Sequence, residues 1–316
     1  MTNKERYRSL CEQEKTIPIF SQAWWLDAVA ADKWDVVLVK KGDQIIGALP
    51  YVVKKKYGFT LLIQPILTQN LGPWIKPTQK SYPKRLAHEK DVLGELADQL
   101  PKCHYYRQNW HCDLQNWLPF YWRHFEQTTR YTYRLPLSSD GDQLWSNLQE
   151  NIRQDIRKAR DRENVIVRVG SLDEFLELNK MVFQRQDRSL PYTSGLVARI
   201  DAAASARNAK DCLVAEGTDG KLHAGAYIVR SGNTAYYLMG GGDPKLRNSG
   251  ATSLVLWEAI LRQPEAVEVF DFEGSMIEPI ERFFRGFAAI QTPYFCVARS
   301  NSKLFRLLNI FRSRRS

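Results

Sequence analysis

The chain has 316 residues, of which 44% are hydrophobic and 25% are charged, as in an ordinary globular protein. This composition excludes a largely disordered chain, and no apolar run reaches the roughly 18–20 residues that a transmembrane helix needs. Lysine and arginine (45) outnumber aspartate and glutamate (35), so the net charge is +10. A surface with this excess of positive charge attracts polyanions.

The first half of the chain is predicted to contain a helix, a β-hairpin and a third strand. The helix begins after Ser21, a suitable N-cap, and continues to Val29. Apolar runs at 35–39 and 45–53 flank a turn that contains Gly42, which is the pattern of a hairpin. The pattern then predicts a strand at 58–63, a helix at 82–100 and a strand at 103–108.

The second half repeats this order of elements. A long helix is predicted over 143–162, because its apolar residues recur every three or four positions. Ser171 and Glu174 form a capping box for a helix that runs to about Gln186. Further predicted elements are a strand at 165–169, a helix at 194–208, a hairpin at 212–230, a strand at 234–239, a helix at 253–261 and a strand at 267–275.

The matching order predicts a duplicated α/β unit rather than two unrelated domains. We predict one domain at 1–140, a second at 141–299 and a basic tail at 300–316. The tail has five basic residues and no acidic residue. It fits either a basic amphipathic helix that contacts anionic lipid or RNA, or a helix packed on its domain with a frayed basic end.

Two segments of the second half carry candidate functional residues. A glycine-rich loop at 240–252 leads from a strand into a helix, where backbone N–H groups and Arg247 suit a phosphate or a carboxylate. The alternative is a turn that only caps the helix. In the strand at 267–275, alternation places Asp271 and Glu273 on one face at the carboxyl end. We expect one of these acids to act on an amine and the other to pair with Arg282 or Arg285.

The second half resembles the GNAT acyltransferase superfamily. The duplicated plan, with the segments 151–159, 270–274 and 283–288, resembles its Fem branch, the aminoacyltransferases that build peptidoglycan interpeptide bridges. The resemblance covers essentially the whole chain. It implies the α/β (α+β) class, with tandem duplicated GNAT-like domains of mixed, mostly antiparallel sheets flanked by helices. It also implies direct attack of an amine on an activated acyl group.

The resemblance leaves the acyl donor open between acyl-CoA and aminoacyl-tRNA, with no tightly bound cofactor. The acetyl-CoA branch has the pattern Arg/Gln-x-x-Gly-x-Gly/Ala, which Arg247 and Gly250 match and from which Thr252 departs. The Fem branch uses aminoacyl-tRNA, and the positive charge of the chain suits that donor.

Acyl transfer needs a group that takes the proton of the amine, a proton donor for the leaving group, and contacts that hold both substrates. We assign Asp271, Glu273, Tyr237 and Tyr294 to catalysis, Arg247, Ser249, Gly250 and Thr252 to the donor, and Arg185, Gln186, Tyr192 and Arg285 to the acceptor. For each tyrosine taken singly, core packing is the alternative. No metal site is predicted, because Cys103, His104, His111 and Cys112 have the spacing of no common zinc motif.

The predicted function is therefore amide-bond formation on an amine of an anionic, peptidoglycan-type cell-envelope precursor. The alternative is a non-catalytic module of the same fold that binds RNA or an anionic glycan precursor. We expect a cytoplasmic location, because the charged start of the chain leads into no signal region. Peripheral contact with the inner face of the membrane is left open, and no stable protein partner is expected.

Overall fold

In the computed structural model, residues 1–138, 140–274 and 276–306 are described. The chain forms two compact units, one of residues 1–130 with 293–316 and one of residues 131–292. The chain thus leaves the first unit, forms the second, and returns. The predicted boundary at 140 lies ten residues later than this division, and residues 293–299 belong with the first unit rather than the second.

The first unit begins with two helices and a hairpin. Its elements are α1 (Asn3–Gln13), α2 (Ala23–Ala30), β1 (Trp34–Lys41), β2 (Gln44–Lys56), β3 (Phe59–Ile63), β4 (Trp74–Ile75), α3 (Tyr82–Asp98), β5 (Tyr105–Asn109) and α4 (Leu118–Tyr121). The hairpin of β1 and β2 closes around Gly42, whose φ of +61° a glycine adopts without strain. Strand β3 pairs antiparallel with β2 and parallel with β5.

The second unit has a longer series of elements. They are β6 (Glu126–Pro136), α5 (Gly141–Asn147), α6 (Glu150–Arg157), β7 (Ile166–Val169), α7 (Leu172–Gln184), α8 (Ser194–Ser205), β8 (Lys210–Glu216), β9 (Leu222–Ser231), β10 (Thr234–Gly242), α9 (Ala251–Leu261), β11 (Val269–Asp271) and α10 (Glu278–Gly286). Its strands lie in the order β6-β11-β10-β9-β8-β7. The chain then returns in β12 (Ile290–Ser300), which pairs antiparallel with β5.

The two units share one plan, so the predicted duplication and fold class are confirmed. In the first unit the hairpin β1–β2 is followed by β3, helix α3 and the parallel partner β5. In the second unit the hairpin β8–β9 is followed by β10, helix α9 and the parallel partner β11. Among the pairings that the described residues make, the others are antiparallel, which gives each unit a mixed, mostly antiparallel sheet.

Helix α9 lies at the centre of the core of the second unit. It is apolar on nearly all sides, and Leu254, Leu256 and Ala259 are buried. Ile152 and Ile156 of α6 belong to the same buried cluster. Burial of apolar surface contributes about 25 cal/mol per Å², so this packing holds α6 against the helix that follows the glycine-rich loop.

The prediction of one helix over 143–162 is wrong. Helix α5 ends at Asn147, Leu148 is extended with ψ of 143°, and α6 begins at Glu150 and runs into a π-helical turn at Lys158–Arg162. At the break, the backbone N–H of Gln149 donates a hydrogen bond of 2.9 Å to the carbonyl of Gly286. Helical periodicity reflects only neighbouring residues, so it could not predict a break that depends on a residue so distant in sequence.

The strand predicted at 267–275 and the helix of the tail also need correction. Strand β11 covers only Val269–Asp271, and Glu273 has a φ of 54°, which ends the extended conformation. In the tail, residues 303–306 are helical. The rest of the predicted amphipathic helix lies outside the described residues. Among the described residues no helix is both long enough and apolar enough to cross a bilayer.

Candidate functional site

Strands β10 and β11 part at the point where three of the four predicted catalytic residues lie, namely Tyr237, Asp271 and Glu273. They pair in parallel from Thr234 opposite Val269 to Tyr236 opposite Asp271, where β11 ends. Strand β10 continues to Gly242, and a register shift after Tyr237 interrupts its pairing with β9. Within the described residues, β11 gives β10 no partner beyond Tyr236. The backbone of β10 beyond Tyr236 is therefore not paired by β11, and there it can bind another group.

Asp271 holds the end of β11 against β6. Its Oδ1 accepts a hydrogen bond of 2.5 Å from Thr132 Oγ1 and one of 2.8 Å from the backbone N–H of Glu273. Its Oδ2 lies 3.7 Å from Nε of Arg134. Arg134 of β6 is thus an ion-pair partner of Asp271, while Arg285, one of the two predicted partners, pairs with Glu281 at 2.9 Å. These contacts give Asp271 a clear structural role at this site.

Glu273 is a partly buried residue whose carboxyl group lies directly after β11. Its Oε1 is buried, and burial raises the pKa of Glu273 well above its usual range, with the negative charge of Asp271 adding to the rise. The next residue must be glycine, because a β-carbon on Gly274 would lie 2.0 Å from the carbonyl oxygen of Tyr131. A carboxyl group with a raised pKa holds its proton more tightly than an exposed glutamate, which suits it to proton transfer in this position.

Tyr237 lies on the segment of β10 that continues past β11. Its hydroxyl group reaches the backbone at Gly240, where a β-carbon would lie only 1.9 Å from the hydroxyl oxygen. Its ring packs edge-on against Phe284 of α10 at 6.2 Å between centroids. Burial raises the pKa of Tyr237, so the phenol stays protonated at neutral pH. It can therefore serve as a proton donor.

The predicted donor loop is covered by α6. Arg247 and Ser249 lie in a 3₁₀ turn, and Gly250 has a φ of 81° immediately before α9. A β-carbon on Gly250 would lie 2.2 Å from the carbonyl oxygen of Asp155. The hydroxyl of Ser253 donates a hydrogen bond of 3.2 Å to Oδ2 of Asp155. A carboxylate therefore lies at the N-terminus of α9, where a phosphate would bind in an open loop.

The four donor residues thus differ in their surroundings. Arg247 is exposed and Thr252 is partly buried. Ser249 is buried, and its Oγ accepts a hydrogen bond of 3.3 Å from the backbone N–H of Ala251. Sequence reasoning missed Asp155, because helical periodicity does not show which distant segment a polar residue contacts. Its position becomes evident only from the close approach of two backbones at Gly250.

Of the predicted acceptor residues, Tyr192 is connected to β10. Its hydroxyl donates a hydrogen bond of 2.8 Å to Oδ1 of Asn179, whose Nδ2 donates one of 2.7 Å to the carbonyl of Gly240. Asn179 is buried in α7, and sequence reasoning missed it too. Its position as a polar residue within an apolar helical stripe was the signal that could have indicated a buried hydrogen-bonding role. Arg185 and Gln186 are exposed at the end of α7.

Tyr294 lies in the first unit, where it is buried on β12. The same unit contains a basic groove with a volume of about 1070 Å³. Tyr105 and Phe305 stack in it with 5.0 Å between ring centroids. The charged residues that line the groove are Lys54, Lys56, Arg107, Arg299, Arg306 and the single acid Glu126. Sequence reasoning found the tail residues of this groove but not the groove, because its walls come from distant segments.

Cys103, His104, His111 and Cys112, which were considered as a metal site, do not form one cluster of ligand atoms among the described residues. His104 Nδ1 accepts a hydrogen bond of 2.9 Å from the backbone N–H of Thr60. His111 and Cys112 instead lie with Asp113, and one ligand atom of each falls within 4.8 Å of the others. Three consecutive residues of a turn offer only a partial ligand set.

The comparisons identify the class of the second unit. Residues 146–278 match the family model described as acetyltransferase (GNAT) domain. This match contains β10, the glycine-rich loop, α9 and β11. Most of the second unit is thus similar to a GNAT acetyltransferase domain, and the predicted resemblance to this superfamily is confirmed. A search of curated proteins found no match.

Solved structures share the fold of the whole chain. The structure of FemX is 13% identical with a TM-score of 0.67, and the alignment covers 93% of this chain and 96% of FemX. A tandem GNAT protein from the clavulanic acid biosynthesis pathway is 9% identical with a TM-score of 0.56 and 95% coverage of both chains. L-PGS from Bacillus licheniformis is 9% identical with a TM-score of 0.55, over 98% of this chain and 96% of that one. These likenesses confirm a tandem GNAT fold.

Proposed function

We propose that the protein is an N-acyltransferase that forms an amide bond on an amine of an anionic cell-envelope precursor, with an aminoacyl ester such as aminoacyl-tRNA as donor. The observation that carries the proposal is the parting of β10 from β11, with Glu273 and Tyr237 beside it. The fold shared with FemX supports it, as does the positive charge of the chain.

The reaction uses few groups. Beyond Tyr236, where the pairing with β11 ends, backbone N–H groups of β10 polarise the donor carbonyl as negative charge develops on its oxygen. The amine nitrogen then forms a bond to the carbonyl carbon, and the bond from that carbon to the leaving oxygen breaks. Glu273 as carboxylate accepts the proton that the amine loses, and Tyr237 donates a proton to the leaving oxygen. A raised pKa makes the Glu273 carboxylate a stronger base for this step.

The choice of an ester donor over acyl-CoA depends on Asp155. Acyl-CoA carries a diphosphate, which GNAT loops of the acetyl-CoA type bind at a helix N-terminus. Here the Asp155 carboxylate is hydrogen-bonded to Ser253 in the first turn of α9, and a second negative group there is repelled. Thr252 adds a branched side chain next to the same N–H groups. An aminoacyl ester needs no diphosphate site.

The basic groove of the first unit is our candidate for binding the acceptor. Five cations against one acid suit a phosphate-bearing precursor, and the stacked Tyr105 and Phe305 offer apolar planes to a sugar or a base. Tyr192, Arg185, Gln186 and Arg285 remain candidates for the part of the acceptor that carries the amine.

The test is transfer of a radiolabelled acyl group by the purified protein. Bulk aminoacyl-tRNA and acetyl-CoA are supplied in parallel as donors, with nucleotide-linked peptidoglycan precursors as acceptors. We expect product with aminoacyl-tRNA and none with acetyl-CoA. Glu273→Gln should lower turnover by about 10²-fold or more. Glu268→Gln is the control and should not, because Glu268 is an exposed acid just before β11 whose carboxylate accepts a hydrogen bond from Asn233.

Two outcomes would contradict the proposal. Product from acetyl-CoA alone would overturn the ester donor. No product from either donor, together with tight binding of the precursor or of tRNA, would favour the non-catalytic binding module that the same fold and charge allow.

A further inference from the structure

Four large apolar side chains stand exposed together on the first unit. Tyr82 of α3 is 65% exposed. Leu118 and Tyr121 of α4 are 41% and 58% exposed, and Trp122, which follows α4, is 55% exposed. We call these four residues the aromatic face. Tyr82 and Leu118 line one groove, and Trp117 in that groove packs edge-on against Tyr121 at 5.4 Å. Lys90 lines the same groove and its Nζ lies over the Trp122 ring, so each of the four residues borders this groove directly or through one neighbour.

Cations accompany the rings of this face. The guanidinium of Arg85 lies 5.6 Å from the centre of the Tyr82 ring, and Nζ of Lys90 lies 5.6 Å from that of Trp122. Lys84 adds an exposed positive charge in the first turn of α3. Of the nearby acids, Glu89 contacts Arg85 at 3.8 Å and Asp91 is exposed. Asp113 also lines the adjoining groove. The charged groups that lie over the Tyr82 and Trp122 rings are both cations, so these rings are placed beside positive charge that can meet a negatively charged partner.

We propose that the aromatic face docks this protein on the surface of an anionic lipid bilayer. Tyrosine and tryptophan have an apolar ring and a polar tip, which suits them to the boundary between lipid chains and water. Lysine and arginine beside them bind anionic headgroups. The adjoining groove, of about 770 Å³, has Pro73, Trp74 and Leu86 among its walls and gives room for part of one lipid molecule.

This surface differs from the basic tail, which the sequence offered as a membrane contact, and it goes beyond the proposed function. Docking requires no acyl transfer, so the two proposals fail separately. A chain held at a bilayer meets a lipid-linked precursor in two dimensions instead of three, which raises the rate of encounter.

Sedimentation of the full chain with vesicles tests the proposal. Vesicles of phosphatidylglycerol and phosphatidylcholine in equal parts are compared with vesicles of phosphatidylcholine alone. We expect binding to the first and much weaker binding to the second. Tyr121→Ser with Trp122→Ser should lower the affinity for the anionic vesicles by about tenfold or more, because two rings no longer enter the interface.

Tyr57→Ser is the matched control. Tyr57 is an 82% exposed tyrosine of the same unit with Nζ of Lys56 at 5.3 Å from its ring, but it lines neither this groove nor the aromatic face. Its substitution should leave vesicle binding unchanged. Thermal unfolding of each variant verifies the fold, and Lys84→Glu with Lys90→Glu provides a second variant with the rings intact, for which we also expect weaker binding.

Three outcomes would overturn the proposal. The first is no binding of the unaltered chain to anionic vesicles, and the second is equal binding to both kinds of vesicle. The third is loss of binding on substitution of Arg312, Arg314 and Arg315 by glutamine while the Tyr121 and Trp122 variant binds as before, which would assign the membrane contact to the tail.

Discussion

Thr132 Oγ1 donates a hydrogen bond of 2.5 Å to Oδ1 of Asp271, the same oxygen that accepts from the backbone N–H of Glu273 at 2.8 Å. This one oxygen connects β6, the end of β11 and the turn that carries Glu273. The position of the candidate proton acceptor therefore depends on a neighbouring acid that the reaction need not contact.

Asp271→Ala should destabilise the protein, because it leaves two buried donors without this acceptor. We expect a loss of about 1–3 kcal/mol in the free energy of unfolding, measured by urea denaturation. Thr132→Ser retains the hydroxyl group and serves as the control, with a much smaller loss. Equal stability of Asp271→Ala and the unaltered chain would show that the contact does not hold the turn.

The buried Glu273 carboxyl should make stability depend on pH. Its pKa is raised in the folded protein, so the native state binds this proton more tightly than the unfolded state does. The resulting stabilisation is present in full below the usual glutamate pKa and is lost as the pH rises through the folded value. Glu273→Gln has no such proton, so its stability relative to the unaltered chain should increase from pH 5 to pH 8. Urea denaturation at both pH values measures this difference in the free energy of unfolding. A difference that does not change with pH would argue against a raised pKa for Glu273.

Gly250→Ala should be strongly destabilising. The substitution combines a φ of 81° with a β-carbon 2.2 Å from the carbonyl oxygen of Asp155, and we expect a cost of about 2 kcal/mol or more. Gly220→Ala is the control, because Gly220 has a similar φ of 76° and no neighbouring atom within 4 Å. If both substitutions lowered the melting temperature equally, the close approach of Gly250 to Asp155 of α6 would not contribute to the loss of stability.

Asp155→Asn should increase the affinity for coenzyme A. The substitution retains a side-chain oxygen for Ser253 and removes the negative charge at the N-terminus of α9. We expect weak or undetectable binding by the unaltered chain and several-fold tighter binding by the variant in calorimetry. Asp161→Asn, an exposed acid in the following π-helical turn, should have no effect. Tight binding of coenzyme A by the unaltered chain would contradict the proposed choice of donor.

Local patterns predicted the elements that depend on neighbouring residues. The capping box of Ser171 and Glu174 is present with both of its hydrogen bonds, at 3.2 and 2.7 Å. The hairpin around Gly42 and the helix that follows the glycine-rich loop are likewise where the pattern places them. Each of these features is determined by residues within a few positions of one another.

The parts that sequence reasoning missed depend on distant contacts. The break before α6 is fixed by the carbonyl of Gly286, and the end of β11 by the approach of Gly274 to Tyr131. The walls of the basic groove run from Lys54 to Arg306. The hydrophobic periodicity of a single sequence does not show which distant residues contact each other. The roles of Asp155 and Asn179 could therefore be assigned only from the structure.

The return of the chain through β12 has a consequence for synthesis on the ribosome. Residues 1–130 emerge first, yet β5 obtains its pairing with Cys296–Ser300 only after the whole second unit has been made. Until then β5 lacks this partner, whereas residues 131–292 of the second unit are all present once residue 292 is clear. The second unit can thus begin to fold before the unit that precedes it has all of its residues.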